Sequence, residues 1–198
     1  MRVVIIDTGC ANLSSLKYAV LRLGYTPAIS TDPHVIQNAD RVFLPGVGAA
    51  AAAMREINAR GLVETIRACT RPMLGICMGM QLLGSQSEEG NAKTLGVMDI
   101  SVTRLHSKGL PLPHMGWNTL SSRVAHPLFE GIDDQAYFYF VHSYAMPVSS
   151  LTLAQTVYGQ TFSSVVARDR FFGTQFHPER SGAAGARLIR NFLEVSWT

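Results

Sequence analysis

A chain of 198 residues, 47% apolar and 16% charged, can bury one sizeable core and is short for two, so we expect a single domain over residues 1–198. The net charge of +3 is scattered, with no basic arm or stacking platform, which excludes a dedicated nucleic-acid binder. Three cysteines, Cys10, Cys69 and Cys77, make an odd, sparse set without zinc spacing, which excludes a disulfide framework and fits a reducing compartment. The opening Met1-Arg2-Val3-Val4-Ile5-Ile6-Asp7 turns acidic too soon for a signal peptide, and no apolar run reaches membrane-spanning length, so the cytoplasm is the expected location. So few charges also point to a surface partly covered by a partner.

Residues 3–6 form a β-branched apolar run that ends at Asp7-Thr8-Gly9, the pattern of a strand buried on both faces. Leu13, Leu16, Val20, Leu21 and Leu23 then recur at helical spacing until Gly24. The unit repeats: a strand over 27–30, a helix from Asp32-Pro33, and a strand over 41–44 that ends in Pro45-Gly46-Val47-Gly48. An alanine-rich helix over 49–59 follows, and Gly61 separates it from another ending near Cys69. Alternation of this kind predicts an α/β fold: an open, mostly parallel sheet with helices on both faces and its site at the carboxyl ends of the strands.

Residues 73–83 carry the chemistry. The strand Met73-Leu74-Gly75-Ile76 meets Cys77-Met78-Gly79 and passes at once into an apolar, helix-compatible run. Gly-x-Cys-x-Gly is the spacing of a nucleophile elbow with sulfur in place of the serine oxygen. The turn strains the central residue, and its neighbours two positions away must lack colliding side chains. A buried structural cysteine needs neither glycine. At a helix start the sulfur also meets unpaired N–H groups, surroundings that suit an anion.

After Leu83 the pattern changes. Residues 85–94 are polar and punctuated by glycine, as in a loop that closes over a site. Runs over 97–105, 117–122, 136–141, 151–158 and 165–167 are short and turn-bounded, which predicts a small antiparallel layer added to the parallel sheet. Residues 171–176 form one more strand, and 183–195 a closing helix.

A cysteine nucleophile needs a base, and the base an orienting acceptor. His177 ends the 171–176 strand within Gln175-Phe176-His177-Pro178-Glu179. Pro178 forces His177 into extended geometry, and residues two apart then face one way, so Glu179 can hold one imidazole nitrogen while the other takes the thiol proton. An oxyanion hole has one donor in the backbone N–H of Met78 and a second in the glycine-flanked amides of 45–48.

Pro45-Gly46-Val47-Gly48, the stretch 75–83 and Gln175-Phe176-His177-Pro178-Glu179 together resemble the class I (triad) glutamine amidotransferases over nearly the whole chain. Asn12-Leu13-Ser14-Ser15, Pro113-His114-Met115-Gly116-Trp117-Asn118 and Tyr139-Phe140-Val141-His142-Ser143-Tyr144 narrow the resemblance to the glutaminase subunits of imidazole glycerol phosphate synthases. The resemblance implies a glutamine hydrolase of histidine biosynthesis that sends ammonia to a (β/α)8-barrel cyclase subunit, needs no cofactor or metal, and works as a heterodimer. It makes Cys77 the nucleophile, His177 the acid/base and Glu179 its orienter. Val47, Gly48 and Met78 are placed at the oxyanion, and Gln81, Glu89, His142, Ser143 and Tyr144 around the substrate. Asn12, Trp117, Tyr139 and Arg180 are placed towards the cyclase.

From the residues alone, His114 and His142 read as packed, hydrogen-bonded imidazoles, Asn12 as a helix N-cap, and Trp117 and Tyr139 as core aromatics. The chain departs from the family pattern at Thr8, at Ala11 and at Arg180, where a lysine is common; these changes fall towards the expected interface. A non-catalytic module on the same fold, a glutaminase subunit of another synthase and a cysteine peptidase are the rival readings.

Overall fold

The computed structural model describes residues 1–9 and 11–197; Cys10 lies outside them. Its first half runs β1 (Val3–Ile6), α1 (Leu13–Arg22), β2 (Pro27–Ser30), α2 (Pro33–Gln37), β3 (Arg41–Gly46), α3 (Ala50–Ala59), α4 (Val63–Arg67), β4 (Met73–Cys77) and α5 (Met78–Leu82). The second half runs β5 (Gln86–Ser87), β6 (Ala92–Lys93), β7 (Ser101–Arg104), β8 (His114–Thr119), β9 (Ser122–Arg123), β10 (Tyr137–His142), β11 (Tyr144–Ala145), β12 (Thr152–Tyr158), β13 (Gln160–Arg168), β14 (Phe171–Thr174) and α6 (Gly182–Glu194).

Successive residues of a strand face opposite sides, and here each side finds its own helices. Val3, Ile5, Phe43, Leu74 and Ile76 pack with Leu16 and Val20 of α1 and with Leu188, Ile189 and Phe192 of α6. Their neighbours Val4, Ile6, Val42, Leu44 and Met73 pack on the other face with Ile36, Ala53, Ile57, Ile66 and Met80 from α2 to α5. The helices begin where local chemistry starts them. Asn12 Oδ1 accepts from Ser15 N at 3.2 Å ahead of α1, and Asp32 Oδ1 accepts from His34 N at 2.8 Å, with Pro33 at the first helical position.

The main sheet has the order β2-β1-β3-β4-β14-β13-β12-β9, with the first five strands parallel and β13, β12 and β9 antiparallel. The expected antiparallel addition is therefore only partly a separate layer. Three of its strands extend the main sheet, because β13 hydrogen-bonds to the otherwise open edge of β14. The rest form the pair β10-β8 and the small sheet β11-β7-β5-β6. Residues 85–94, expected as a loop, make the β5–β6 hairpin of that sheet.

One pairing positions the site. β14 lies parallel to β4 with Thr174 opposite Ile76, so the residues after β14 emerge beside the end of β4, where Cys77 sits. Among the described residues no helix is long and apolar enough to cross a membrane, and no group of three or more His, Cys, Asp and Glu side chains could hold a metal ion.

Candidate active site

Cys77 ends β4 with φ 53° and ψ −108°, a backbone conformation that L-residues avoid, and Met78 opens α5 immediately after it. Three glycines permit the bend. A Cβ on Gly75 would lie 2.7 Å from the Gly79 carbonyl oxygen, one on Gly79 would collide with the Leu44 carbonyl of β3, and one on Gly46 would sit 3.0 Å from Gly79 N. β3, the end of β4 and the first turn of α5 are thus in backbone contact. Cys77 is 7% exposed, with the Val141 carbonyl 3.8 Å from Sγ and the Gln175 side-chain nitrogen 3.8 Å away.

The backbone of His177 is fixed on both sides. Its N–H donates to the Tyr139 carbonyl at 2.9 Å, and its carbonyl accepts from Ser181 Oγ at 2.7 Å, a hydroxyl that accepts in turn from Tyr139 N at 2.9 Å. Pro178 begins a single 3-10 turn that brings Glu179 back to the ring, where Nδ1 lies 2.8 Å from Glu179 Oε1. A carboxylate can only accept, so Nδ1 carries the hydrogen and Nε2 is left over. Burial opposes a charged imidazole here, yet hydrogen bonds and charge from Cys77 and Glu179 outweigh it and lift the His177 pKa to about 10.

A cavity of about 370 Å³ joins these groups. Cys77, His177, Met78, Val47 and Gly48 line one part of it, and Gln81, Glu89, His142, Ser143 and Tyr144 the remainder, with Pro113 and Val141. Gly48, at φ +87°, has open space where a Cβ would be, and Val47 is 41% exposed. Met78 N belongs to the first turn of a helix, where amides have no intrahelical partner. Glu89, at the tip of the β5–β6 hairpin, accepts from Ala50 N at 3.0 Å and so caps α3, whose own N-cap residue is an alanine. Gln81 is buried, and its Nε2 donates to the Tyr144 carbonyl at 2.8 Å and to Gln175 Oε1 at 2.9 Å; its Oε1 has no partner among the described residues.

The two histidines on β8 and β10 are packed imidazoles. His142 Nδ1 donates to the Tyr144 carbonyl at 2.8 Å, and His142 Nε2 lies 3.0 Å from His114 Nδ1. His142 therefore lines the cavity with no ring nitrogen left for a substrate. Burial holds His114 neutral, with its pKa down to about 4. Burial outweighs the hydrogen bond to the Tyr144 carbonyl and, with the His177 charge nearby, takes His142 to about 3.

The residues expected towards a partner lie on the same end of the sheet. Trp117 is 55% exposed, its ring meets that of Tyr139 edge-on at 5.9 Å, and the Arg180 guanidinium lies 4.8 Å from the Tyr139 ring. Trp117 is therefore a surface residue, in contrast to its reading as a core aromatic. Asn12, exposed at the start of α1, borders a small cleft shared with Val47, His177 and Glu179. One neighbour of Cys77 was missed: Gln175, fully buried against the sulfur. In the structure the 3-10 turn, and not extended alternation, pairs His177 with Glu179; the same expected alternation, run backwards from His177, falls on Gln175 and could have found it.

The family model for glutamine amidotransferase class-I matches residues 4–195. The chain is 59% identical to the imidazole glycerol phosphate synthase subunit HisH of Pectobacterium atrosepticum over 98% of its length and all of the relative's. Its counterparts in Yersinia pestis and Escherichia coli are 60% and 58% identical over the same shares of both chains. Among solved structures, a putative GMP synthase protein from Thermoplasma acidophilum superposes with a TM-score of 0.75 at 18% identity, covering 98% of this chain and 92% of that one. PurLQS from Thermotoga maritima gives 0.69 at 17%, covering 97% of each chain, and these distant likenesses speak for the fold alone. With a cysteine elbow facing a carboxylate-held histidine, and a family match from the first strand to the last helix, the chain belongs to the class-I glutamine amidotransferases.

Proposed function

We propose that this chain is the glutaminase subunit of an imidazole glycerol phosphate synthase, with Cys77, His177 and Glu179 as its triad. The observation that carries the chemistry is that Cys77, at positive φ, shares one cavity with a His177 whose Nδ1 is already committed to Glu179. The choice of synthase follows the name borne by relatives 58–60% identical over their full lengths.

With the proton shared by Cys77 and His177 held on Nε2, the sulfur attacks the side-chain carbonyl carbon of glutamine. Charge builds on the carbonyl oxygen, where backbone N–H groups of Val47, Gly48 and Met78 would receive it. As the tetrahedral adduct collapses, His177 returns the proton to the amide nitrogen and the C–N bond breaks. Ammonia leaves, and a γ-glutamyl thioester remains. His177 then takes a proton from water, the hydroxide attacks the thioester, and glutamate departs as the sulfur regains its proton. Gln81, Glu89, Ser143 and Tyr144 lie where the substrate's ends would rest.

Ammonia freed into water becomes ammonium and is lost as a nucleophile. The reading therefore includes a (β/α)8-barrel cyclase partner, docked over Asn12, Trp117, Tyr139 and Arg180 in the cytoplasm. The partner uses the ammonia to make imidazole glycerol phosphate. Replacing Cys77 by alanine should abolish glutamine-dependent cyclisation by the reconstituted pair while cyclisation from added ammonium salt persists. Loss of both, or survival of the glutamine reaction, overturns the assignment.

A further inference from the structure

Gln175 is fully buried, and the orientation of its carboxamide is fixed by its neighbours. The Tyr144 carbonyl can only accept, so the Gln81 side-chain atom 2.8 Å from it is the nitrogen. The same nitrogen lies 2.9 Å from one terminal atom of Gln175, which must then be the oxygen. The Gln175 nitrogen is left facing Cys77 Sγ at 3.8 Å.

The carbonyl that sets this direction is itself held. His142 Nδ1–H donates to it, so a neutral His142 accepts at Nε2 from His114 Nδ1–H, and His114 Nε2 accepts from Asn118 Nδ2 at 3.3 Å. Asn118 is oriented independently, its nitrogen donating to the Val157 carbonyl at 3.1 Å and its oxygen accepting from Thr119 N at 2.8 Å. Donors and acceptors therefore agree from both ends of a chain that runs from β8 to the sulfur.

We propose that Gln175 is a further catalytic residue: its N–H, locked by Gln81 and the Tyr144 carbonyl, hydrogen-bonds the Cys77 sulfur and favours its anion over the thiol. The inference rests on Cys77 being the nucleophile. Besides His177, two polar contacts of the sulfur act in opposite senses. The Val141 carbonyl, 3.8 Å away, can accept only from an S–H and so favours the thiol. An N–H gains strength when its acceptor becomes charged, so the Gln175 contact tightens as the proton moves to His177. Held in place beforehand, it needs no reorganisation at that moment.

The test is the rate of Cys77 alkylation by iodoacetamide in the full-length protein across the neutral and alkaline range, with the modified peptide read by mass spectrometry to separate it from Cys10 and Cys69. Gln175→Met removes the donor. Gln175→Glu keeps the volume and the oxygen facing Gln81 but sets a second oxygen against the sulfur. Neither replaces any other titratable group around the cavity: His177, His142, Glu89, Tyr144, and Glu179 behind His177. The pH of half-maximal alkylation should rise by roughly one unit in Gln175→Met, the size of one charge-assisted hydrogen bond, and by at least as much in Gln175→Glu. A midpoint unmoved in both variants overturns the proposal. Failure of 6-diazo-5-oxo-L-norleucine to label Cys77 in the unaltered protein would overturn the nucleophile assignment instead, so the two ideas fail separately.

Discussion

Glu179 holds the His177 ring from behind, Oε1 accepting from Nδ1 at 2.8 Å with only 7% and 8% of the two side chains exposed. Its second oxygen has no partner among the described residues, so the carboxylate is committed to this one contact. Glu179→Gln keeps the shape but can present an N–H to Nδ1 and reverse the ring's tautomer. Glutamine turnover by the complex should fall by roughly 10⁴-fold, the size seen when the orienting member of a triad is neutralised. Ammonia-dependent cyclisation measured alongside should not change.

The histidines give stability two limbs of opposite sign. His177 titrates at about 10 when folded against 6.5 when unfolded, so its contribution is complete below pH 6.5 and disappears as pH rises through about 10. His114 and His142, at about 4 and about 3, are held neutral. The unfolded chain binds more protons there, so their contribution is complete above pH 6.5 and is lost as pH falls towards 4 and 3. Denaturant unfolding across pH should show a maximum between the limbs. Glu179→Gln should flatten the alkaline limb, and His114→Phe the acidic one by about one proton.

Much of this site was legible because its constraints are local. Gly75 and Gly79 flank Cys77 in sequence and also in space, and the Pro178 turn pairs His177 with Glu179 two residues apart. The helices of both faces follow from spacing, since Leu16 and Val20 or Ile189 and Phe192 repeat on one stripe against one face, and Ala53 and Ile57 against the other. Long-range geometry stayed hidden. Nothing near Gln175 announces Gln81 or the Tyr144 carbonyl, and Glu89 caps α3 from 39 positions away. The extension of the main sheet by β13, β12 and β9 was missed because short strands carry no signal of which edge they join.

Gly79 should be the least replaceable residue of the elbow. Its Cβ would strike the Leu44 carbonyl, a backbone atom of a central strand that cannot rotate away. Gly79→Ala should cost about 3 kcal/mol or more in denaturant unfolding, as over-packing against rigid backbone does. Gly48→Ala meets no atom and is disfavoured only by its positive φ, so its loss should be near 1 kcal/mol. Equal effects at the two positions would contradict the backbone-contact account.

Glu89 joins the β5–β6 hairpin to α3 and borders the cavity. Glu89→Ala should lower stability by about 1 kcal/mol, the worth of one N-cap, and raise the KM for glutamine. Glu89→Gln retains an acceptor for Ala50 N and should recover most of the stability. A KM that stays raised in Glu89→Gln would show the charge acting on substrate, separately from its capping.

Trp117, Tyr139 and Arg180 form a stack at the surface, half-buried Tyr139 meeting the exposed indole edge-on and the exposed guanidinium 4.8 Å from its ring. Indole surface left 55% open beside the active site is what a partner would bury, and aromatic and arginine side chains supply most interface hot spots. Trp117→Ala should weaken binding of the purified cyclase by roughly 30-fold or more in calorimetry, a loss of about 2 kcal/mol. Arg180→Ala should do less, because an exposed cation over a ring at the surface contributes about 0.5–1 kcal/mol. Tyr139 also accepts from His177 N through its carbonyl and donates from its own N–H to Ser181 Oγ, so main-chain contacts tie the stack to His177. If that coupling operates, Trp117→Ala should still show a reduced kcat for glutamine at saturating cyclase. Full recovery of kcat at saturation would leave the stack as a docking surface alone.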